Sequence, residues 1–152
     1  LIGLLQRVSE ARVEVAGATV AAIGRGIMVL VGVQQGDGQR QAGRLAERLL
    51  NYRVFPDAEG RMNLSVMDIG GGVLLVPQFT LAANTDKGNR ASFTTAAEPE
   101  QAQHWFECLI AQAKRRLHTV ETGSFGADMR VALINEGPVT FWIQVPPDAA
   151  SR

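Results

Sequence analysis

The sequence predicts an α/β domain with one or two sheets. Three observations lead there: apolar, β-branched runs recur at strand length; two longer stretches carry apolar residues at helical spacing; and the early connections are short, which favours antiparallel pairs. A chain of 152 residues fits one domain that buries a continuous core. The domain is expected over residues 1–146, with a disordered tail at 147–152 beyond Pro146.

Val8, Ala11, Val13 and Val15 alternate as a strand does, and Gly17 ends it. A second strand is expected at 19–23, with Gly24-Arg25-Gly26 as a hairpin turn. That glycine pair is no dinucleotide fingerprint, because Val29 stands where a third glycine is needed and a strand follows. Residues 27–33 form a continuous apolar run, the pattern of a strand buried on both faces. Asp37 can cap a helix to about Leu50, whose stripe is Ala42, Leu45, Ala46, Leu49 and Leu50. Short strands at 52–55 and 62–66 flank a turn at 56–60, where proline is well placed. Gly70-Gly71-Gly72 lacks the Lys-Ser/Thr and the helix of a phosphate loop, so it reads as a turn into a strand at 73–76.

Residues 82–98 are polar and loop-like. Pro99 is an accepted first helical residue, and the helix it opens would bury Ala102, Trp105, Phe106, Leu109, Ile110, Ala113 and Leu117. Lys114-Arg115-Arg116 then falls at the helix C-terminus, where positive charge is favourable and a solvated end is the simplest reading. Strands near 119–121, 129–134 and 139–145 complete the chain.

The composition excludes several functions. Lys plus Arg and Asp plus Glu balance at 15 each, which argues against coating nucleic acid through a broad basic field. No apolar run reaches membrane-spanning length, and no signal peptide is recognisable at Leu1-Ile2-Gly3. Membrane and DNA are therefore not expected partners. The single cysteine, Cys108, fits a reducing, cytoplasmic setting. His104 and His118 have no metal-ligand spacing, a G-x-S-x-G elbow is absent, and Cys108 has no evident activating neighbour. All three read as structural, and neither metal nor cofactor is expected.

Two segments look odd for plain structure. In Pro77-Gln78-Phe79-Thr80-Leu81 a buried strand meets a proline, which cannot donate to a ladder, so pairing should stop on that side and the N–H groups that follow should be free. Asn135-Glu136-Gly137-Pro138-Val139-Thr140 reads as a tight turn between strands. Only about 5–6% of X-Pro bonds are cis, so the segment alone predicts trans.

With Gln6-Arg7-Val8, Gly32-Val33, Met62-Asn63-Leu64-Ser65, Lys87-Gly88, Arg90-x-Ser92-Phe93 and Glu121-Thr122-Gly123-x-Phe125-Gly126-Ala127, these segments resemble the D-aminoacyl-tRNA deacylase family over nearly the whole chain. Each motif is weak alone; their order and spacing together are specific. The resemblance implies a single α/β domain of two layered sheets with two main helices on one side, assembled as a homodimer. It implies hydrolysis of the ester of D-aminoacyl-tRNA, and of glycine mischarged on alanine tRNA, with the aminoacylated tRNA 3′ end as partner and no cofactor.

By the same resemblance, Gly137-Pro138 is cis and enters the partner subunit's site, where its carbonyls hold the substrate α-amino group. An L side chain would be driven into that backbone, whereas glycine has none to exclude. Arg7 resembles the arginine that holds this loop. Gln78, Phe79 and Thr80 would bind the ester carbonyl and terminal adenosine, with Thr80 orienting rather than attacking and the tRNA 2′-hydroxyl assisting water. Phe125 and Met129 are either pocket walls or core. Pro77 departs from the family's usual serine and removes a hydroxyl and an N–H; Ala91 stands where proline is common. The rival readings are a non-catalytic RNA-end-binding module and an esterase with Thr80 as nucleophile.

Overall fold

The computed structural model describes residues 1–149. Its longest unbroken early strand, β1 (Ile2–Val15), carries the rest of the sheet. The chain turns at Ala16-Gly17 and runs back along one edge of β1 as β2 (Ala18–Ile23) and β3 (Gly26–Gly32). Both pair antiparallel with β1, and Ala11↔Ile23 and Val8↔Gly26 keep a single register. Gly24-Arg25 therefore interrupts one returning strand and is not the hairpin turn the sequence suggested. Gly26 serves close packing instead: a Cβ there would lie 1.8 Å from the Gly72 carbonyl oxygen.

After α1 (Gln39–Asn51) and the short β4 (Phe55–Pro56) and β5 (Met62–Leu64), the chain enters β6 (Gly72–Pro77). It continues through a 3-10 turn (Phe79–Ala82), α2 (Pro99–Lys114), β7 (Val120–Thr122) and β8 (Met129–Gln144). β6 lies parallel to β3, and β7 parallel to β6. β8 runs antiparallel along the other edge of β1, so the sheet has six strands; β4 and β5 form a separate ribbon. β8 is one strand where two were expected. Its register slips between Val8↔Asn135 and Gln6↔Thr140, leaving residues 136–139 outside the ladder. The segment at 135–140 is thus an excursion from a strand, not a hairpin turn.

The alternation of β3 and β6 explains the layering. Ile27, Val29, Val31, Val73 and Leu75 face one core with Leu5, the α1 stripe (Ala42, Leu45, Ala46, Leu49, Leu50) and Ala102, Phe106, Leu109 and Ala113 of α2. Met28, Leu74 and Val76 face the other, where Val8, Ala11 and Val13 of β1 pack with Ala21 and Ile23. The second half of β1 has folded across the back of the sheet. Both helices lie on one side, as expected, and 27–31 is buried on both faces. The two expected layers are halves of one bent sheet. In α2, Trp105 and Ile110 are only half-buried, so its buried stripe is narrower than its apolar spacing suggests, and Leu117, expected on that helix, lies beyond its end at Lys114.

Asp37 does not cap α1. Gly38 occupies the cap, and its N–H donates to Gln41 Oε1 at 2.9 Å. The Asp37 carboxylate instead accepts from the Leu1 α-nitrogen and the Gln34 N–H, each at 2.7 Å. Burial pushes the Asp37 carboxyl above its ordinary range, against these partners. Beyond the last strand, Gln41 Nε2 donates to the Pro146 carbonyl and Arg40 pairs with Asp148. Of the tail expected at 147–152, residues 150–152 lie outside the described ones.

The two interrupting glycines should separate in urea unfolding. Gly26→Ala is expected to lose about 3 kcal/mol or more, since backbone must move. Gly24→Ala, whose Cβ meets nothing within 4 Å, should stay within about 1 kcal/mol of the parent.

Candidate active site

Site residues gather in two places. The first is the end of β6. In a parallel strand successive residues point their N–H and C=O to opposite neighbours. Leu75 serves β7, accepting from the Gly123 N–H at 2.8 Å, so Pro77 faces the side where β7 has ended. Its missing N–H therefore costs no bond, and the ladder continues: the Gln78 N–H donates to Val31 O at 2.8 Å. Pairing stops on the side that Pro77 faces, as expected, and continues by one residue on the β3 side. The free groups begin one residue later. Leu81 N–H donates to Gln78 O and Ala83 N–H to Thr80 O, so the Phe79 and Thr80 N–H groups precede the first bond of the turn. Gly32 lets this turn sit on β3, because a Cβ there would lie 2.9 Å from Leu81 Cβ.

Beside the turn opens a groove of about 440 Å³. Val76, Pro77, Gln78 and Phe79 form one flank, Phe125, Met129 and Val131 face them, and Ala102 at the start of α2 closes an end. None of its lining residues is titratable. Phe125 packs against Phe106, centroids 6.3 Å apart, so it is both a wall and an edge of the core. Thr80 is exposed and lies outside the lining; its hydroxyl oxygen accepts from Gln78 Nε2. An amide is no base, so nothing beside Thr80 activates it as a nucleophile. Among the described residues, no three His, Cys, Asp or Glu group to hold a metal.

The second place is the excursion at 136–139. Gly137-Pro138 is cis, not the trans that the segment alone predicted, and Gly137 has φ +130°. Both residues are exposed. Asn135 closes the base, its Oδ1 accepting from the Val139 N–H at 2.9 Å and its Nδ2 donating to Thr140 Oγ1 at 2.8 Å. Arg7 ties the loop to the domain: Nε donates to Glu136 O at 3.0 Å, and one terminal nitrogen donates to Val54 O at 2.7 Å.

One chain does not bring the two places together. Arg7 pairs with Ile27, and Ile27 with Val73; Gln78 lies beyond Pro77, which pairs with Val31. The loop and the groove are thus about four residues apart along the strands and three strands across, roughly 13 Å by 14 Å.

Comparison with known proteins adds the family. The model for D-Tyr-tRNA(Tyr) deacylase matches residues 4–144. The chain belongs to that family. It is 60% identical over 150 residues to the D-aminoacyl-tRNA deacylase of Alkalilimnicola ehrlichii, covering 99% of this chain and 100% of that one. It is 61% identical over 147 residues to that of Thioalkalivibrio sulfidiphilus, covering 97% and 99%. These relatives are named as hydrolases of aminoacyl-tRNA. A solved "c-Myc DNA Unwinding Element Binding Protein" superposes with TM-score 0.92 at 38% identity, covering 96% of this chain and 99% of that one. A structure described as "a probable eukaryotic D-amino acid tRNA deacylase" gives 0.81 at 16% identity, covering 93% and 98%, a likeness of fold.

Sequence reasoning missed the groove's far wall. Ala97, Pro99 and Ala102 enter it because the start of α2 lies beside the turn; Pro99 marked a helix start, but nothing in the sequence aimed it at a pocket. His104, His118 and Cys108 lie outside the lining, and among the described residues no helix is long and apolar enough to cross a membrane.

Arg7→Ala should release the loop. Hydrogen exchange at the Val139 amide is expected to accelerate while amides of β3 and β6 keep their protection. The stability lost should be about 1.5–3 kcal/mol, typical of hydrogen bonds to a charged group.

Proposed function

We propose that the chain hydrolyses the ester of D-aminoacyl-tRNA, and of glycyl-tRNA mischarged on alanine tRNA, releasing the amino acid and free tRNA. The observation that carries this is the groove without acids or bases, which Phe79 lines and next to which the Phe79 and Thr80 N–H groups have no backbone acceptor among the described residues. Such a site can hold an ester and stabilise charge on it, but must obtain its proton transfers elsewhere. Family membership supports the substrate.

In the proposed reaction, water adds to the ester carbonyl and the tetrahedral oxyanion rests on the Phe79 and Thr80 N–H groups. Removing one such donor typically costs about 2.7–4 kcal/mol. The C–O bond to the terminal ribose then breaks, and its oxygen takes a proton to become the free hydroxyl. The neighbouring 2′-hydroxyl of the tRNA assists the proton transfer. Gln78 orients Thr80, and Phe125 and Met129 shape the groove.

Chirality is assigned to Gly137-Pro138 of a second copy. Two observations favour a second copy: the loop lies far from the groove of its own chain, and among the described residues β8 has one ladder neighbour, β1. On β8, Ile134 and Trp142 are each 54% exposed, a costly surface to leave in water. Within the groove, carbonyls of the incoming loop would hold the α-amino group and exclude an L side chain by contact. Glycine, lacking Cβ, would pass.

Purified protein is expected to deacylate D-Tyr-tRNA and Gly-tRNA while sparing L-Tyr-tRNA; failure on all three would contradict the reading. Thr80→Ala should keep most of the rate, whereas Thr80→Pro, which removes the N–H, should lose about 10²–10³-fold. A substrate ending in 2′-deoxyadenosine should be cleaved poorly; normal cleavage would restore Thr80 as a candidate nucleophile.

A further inference from the structure

The 3-10 turn leads into a loop that nothing in the proposed chemistry uses. Residues 84–92 are exposed throughout, and the loop is closed at its neck by reciprocal bonds between Asn84 and Ser92, at 2.7 and 2.9 Å. Asn84 Oδ1 accepts from the Asp86 N–H at 2.8 Å, which fixes the first bend. Inside lies a cleft of about 290 Å³ lined by Asn84, Asp86, Lys87, Arg90 and Ser92. Among the described residues, neither Lys87 nor Arg90 enters an ion pair.

An aromatic pair links the cleft to the groove. Ser92 precedes Phe93, whose ring meets that of Phe79 with centroids 5.3 Å apart. Phe79 itself lines the groove. Phe93 is 48% and Phe79 59% exposed, so this aromatic pair presents its surface to solvent between the two cavities. Thr95 Oγ1 donates to Ala82 O at 2.6 Å, holding the returning chain against the turn.

Resting on the reading above, we propose that this loop and aromatic pair are a track for the single-stranded 3′ end of RNA leading away from the ester. Exposed aromatic rings beside positive charge are how proteins follow a single strand, stacking bases and meeting phosphates. Two cations outweigh Asp86, so the cleft is net positive and suits the phosphodiester backbone of a single strand. Lys87 and Arg90 take phosphates, and Phe93 takes a base face.

The test is equilibrium binding of a short labelled RNA with a free 3′-hydroxyl, measured from low to moderate salt. For the parent, affinity should fall with salt along a log–log line. Lys87→Gln with Arg90→Gln should flatten that slope by about 1.4, since each single-strand phosphate contact contributes about 0.7. Phe93→Ala should weaken binding by roughly five- to a hundredfold with the slope kept. Lys114→Gln, at the far end of α2, is the charge control and should keep parental affinity and slope. Thermal melting of each variant shows that it is folded.

An unchanged slope in the double variant, or no salt-dependent binding by the parent up to millimolar RNA, overturns the proposal. So does displacement by polyglutamate of equal charge as readily as by RNA, which would mark a general polyanion site. Because binding is read without turnover, a track that binds RNA in a protein that cleaves no ester upholds this proposal and contradicts the catalytic one.

Discussion

The rest of the fold depends on β1 serving three strands in a single 14-residue run. β3 and then β2 occupy one edge, and β8 the whole of the other. A strand paired on both edges cannot accept a further neighbour, so the sheet can grow only beyond β3, through β6 and β7. It also cannot stay flat. Val8, Ala11 and Val13 must find an apolar surface, and the one available is the back of β3 and β6, at Met28, Leu74 and Val76. Folding the second half of β1 over those residues buries both faces of the central strands.

The places where that ladder is broken are the places where the residues of the proposed site collect. Where β6 outruns β7, a proline is harmless and a short turn begins, whose first two N–H groups, at Phe79 and Thr80, have no backbone acceptor among the described residues. Where β8 slips against β1, four residues stand clear of the sheet on supports from Arg7 and Asn135. Segments held by a doubly paired strand gain rigidity that a free loop lacks. The same sheet keeps the two parts apart, and that separation is the strongest physical reason to look for the missing half of each site on another copy.

The core was legible in the sequence because its pattern is local. The continuous run at 27–31 and the helical stripe from Ala42 to Leu50 each predicted burial that the structure has. Breaks in strands were not legible. Gly24-Arg25-Gly26 and Asn135–Thr140 carry good turn residues, yet each lies within a strand's path along β1, because glycine also serves close approach and extrusion. Pro77 ends the ladder on one side, as its missing N–H requires, but which neighbour that side faces depends on register, which no local pattern encodes. Asp37 showed the right chemistry for a cap and found a partner 36 residues away instead. Among site residues, Gln78, Phe79, Phe125 and Met129 converge on one groove, while Arg7, Gly137 and Pro138 form a second place. Resemblance supplied both sets; spacing alone would have yielded neither.

The most direct test of the account is complementation between two defective chains. One carries Ala102→Trp, which fills the groove; the other carries Gly137→Val, which displaces the loop, and each alone should be nearly inactive on D-Tyr-tRNA. After mixing under conditions that exchange subunits, about a quarter of the parental rate is expected. Random pairing makes half the dimers mixed, and one of the two sites in each mixed dimer is whole. Activity that stays at the level of the separate variants, although mixed dimers have formed, would contradict a site built from two copies.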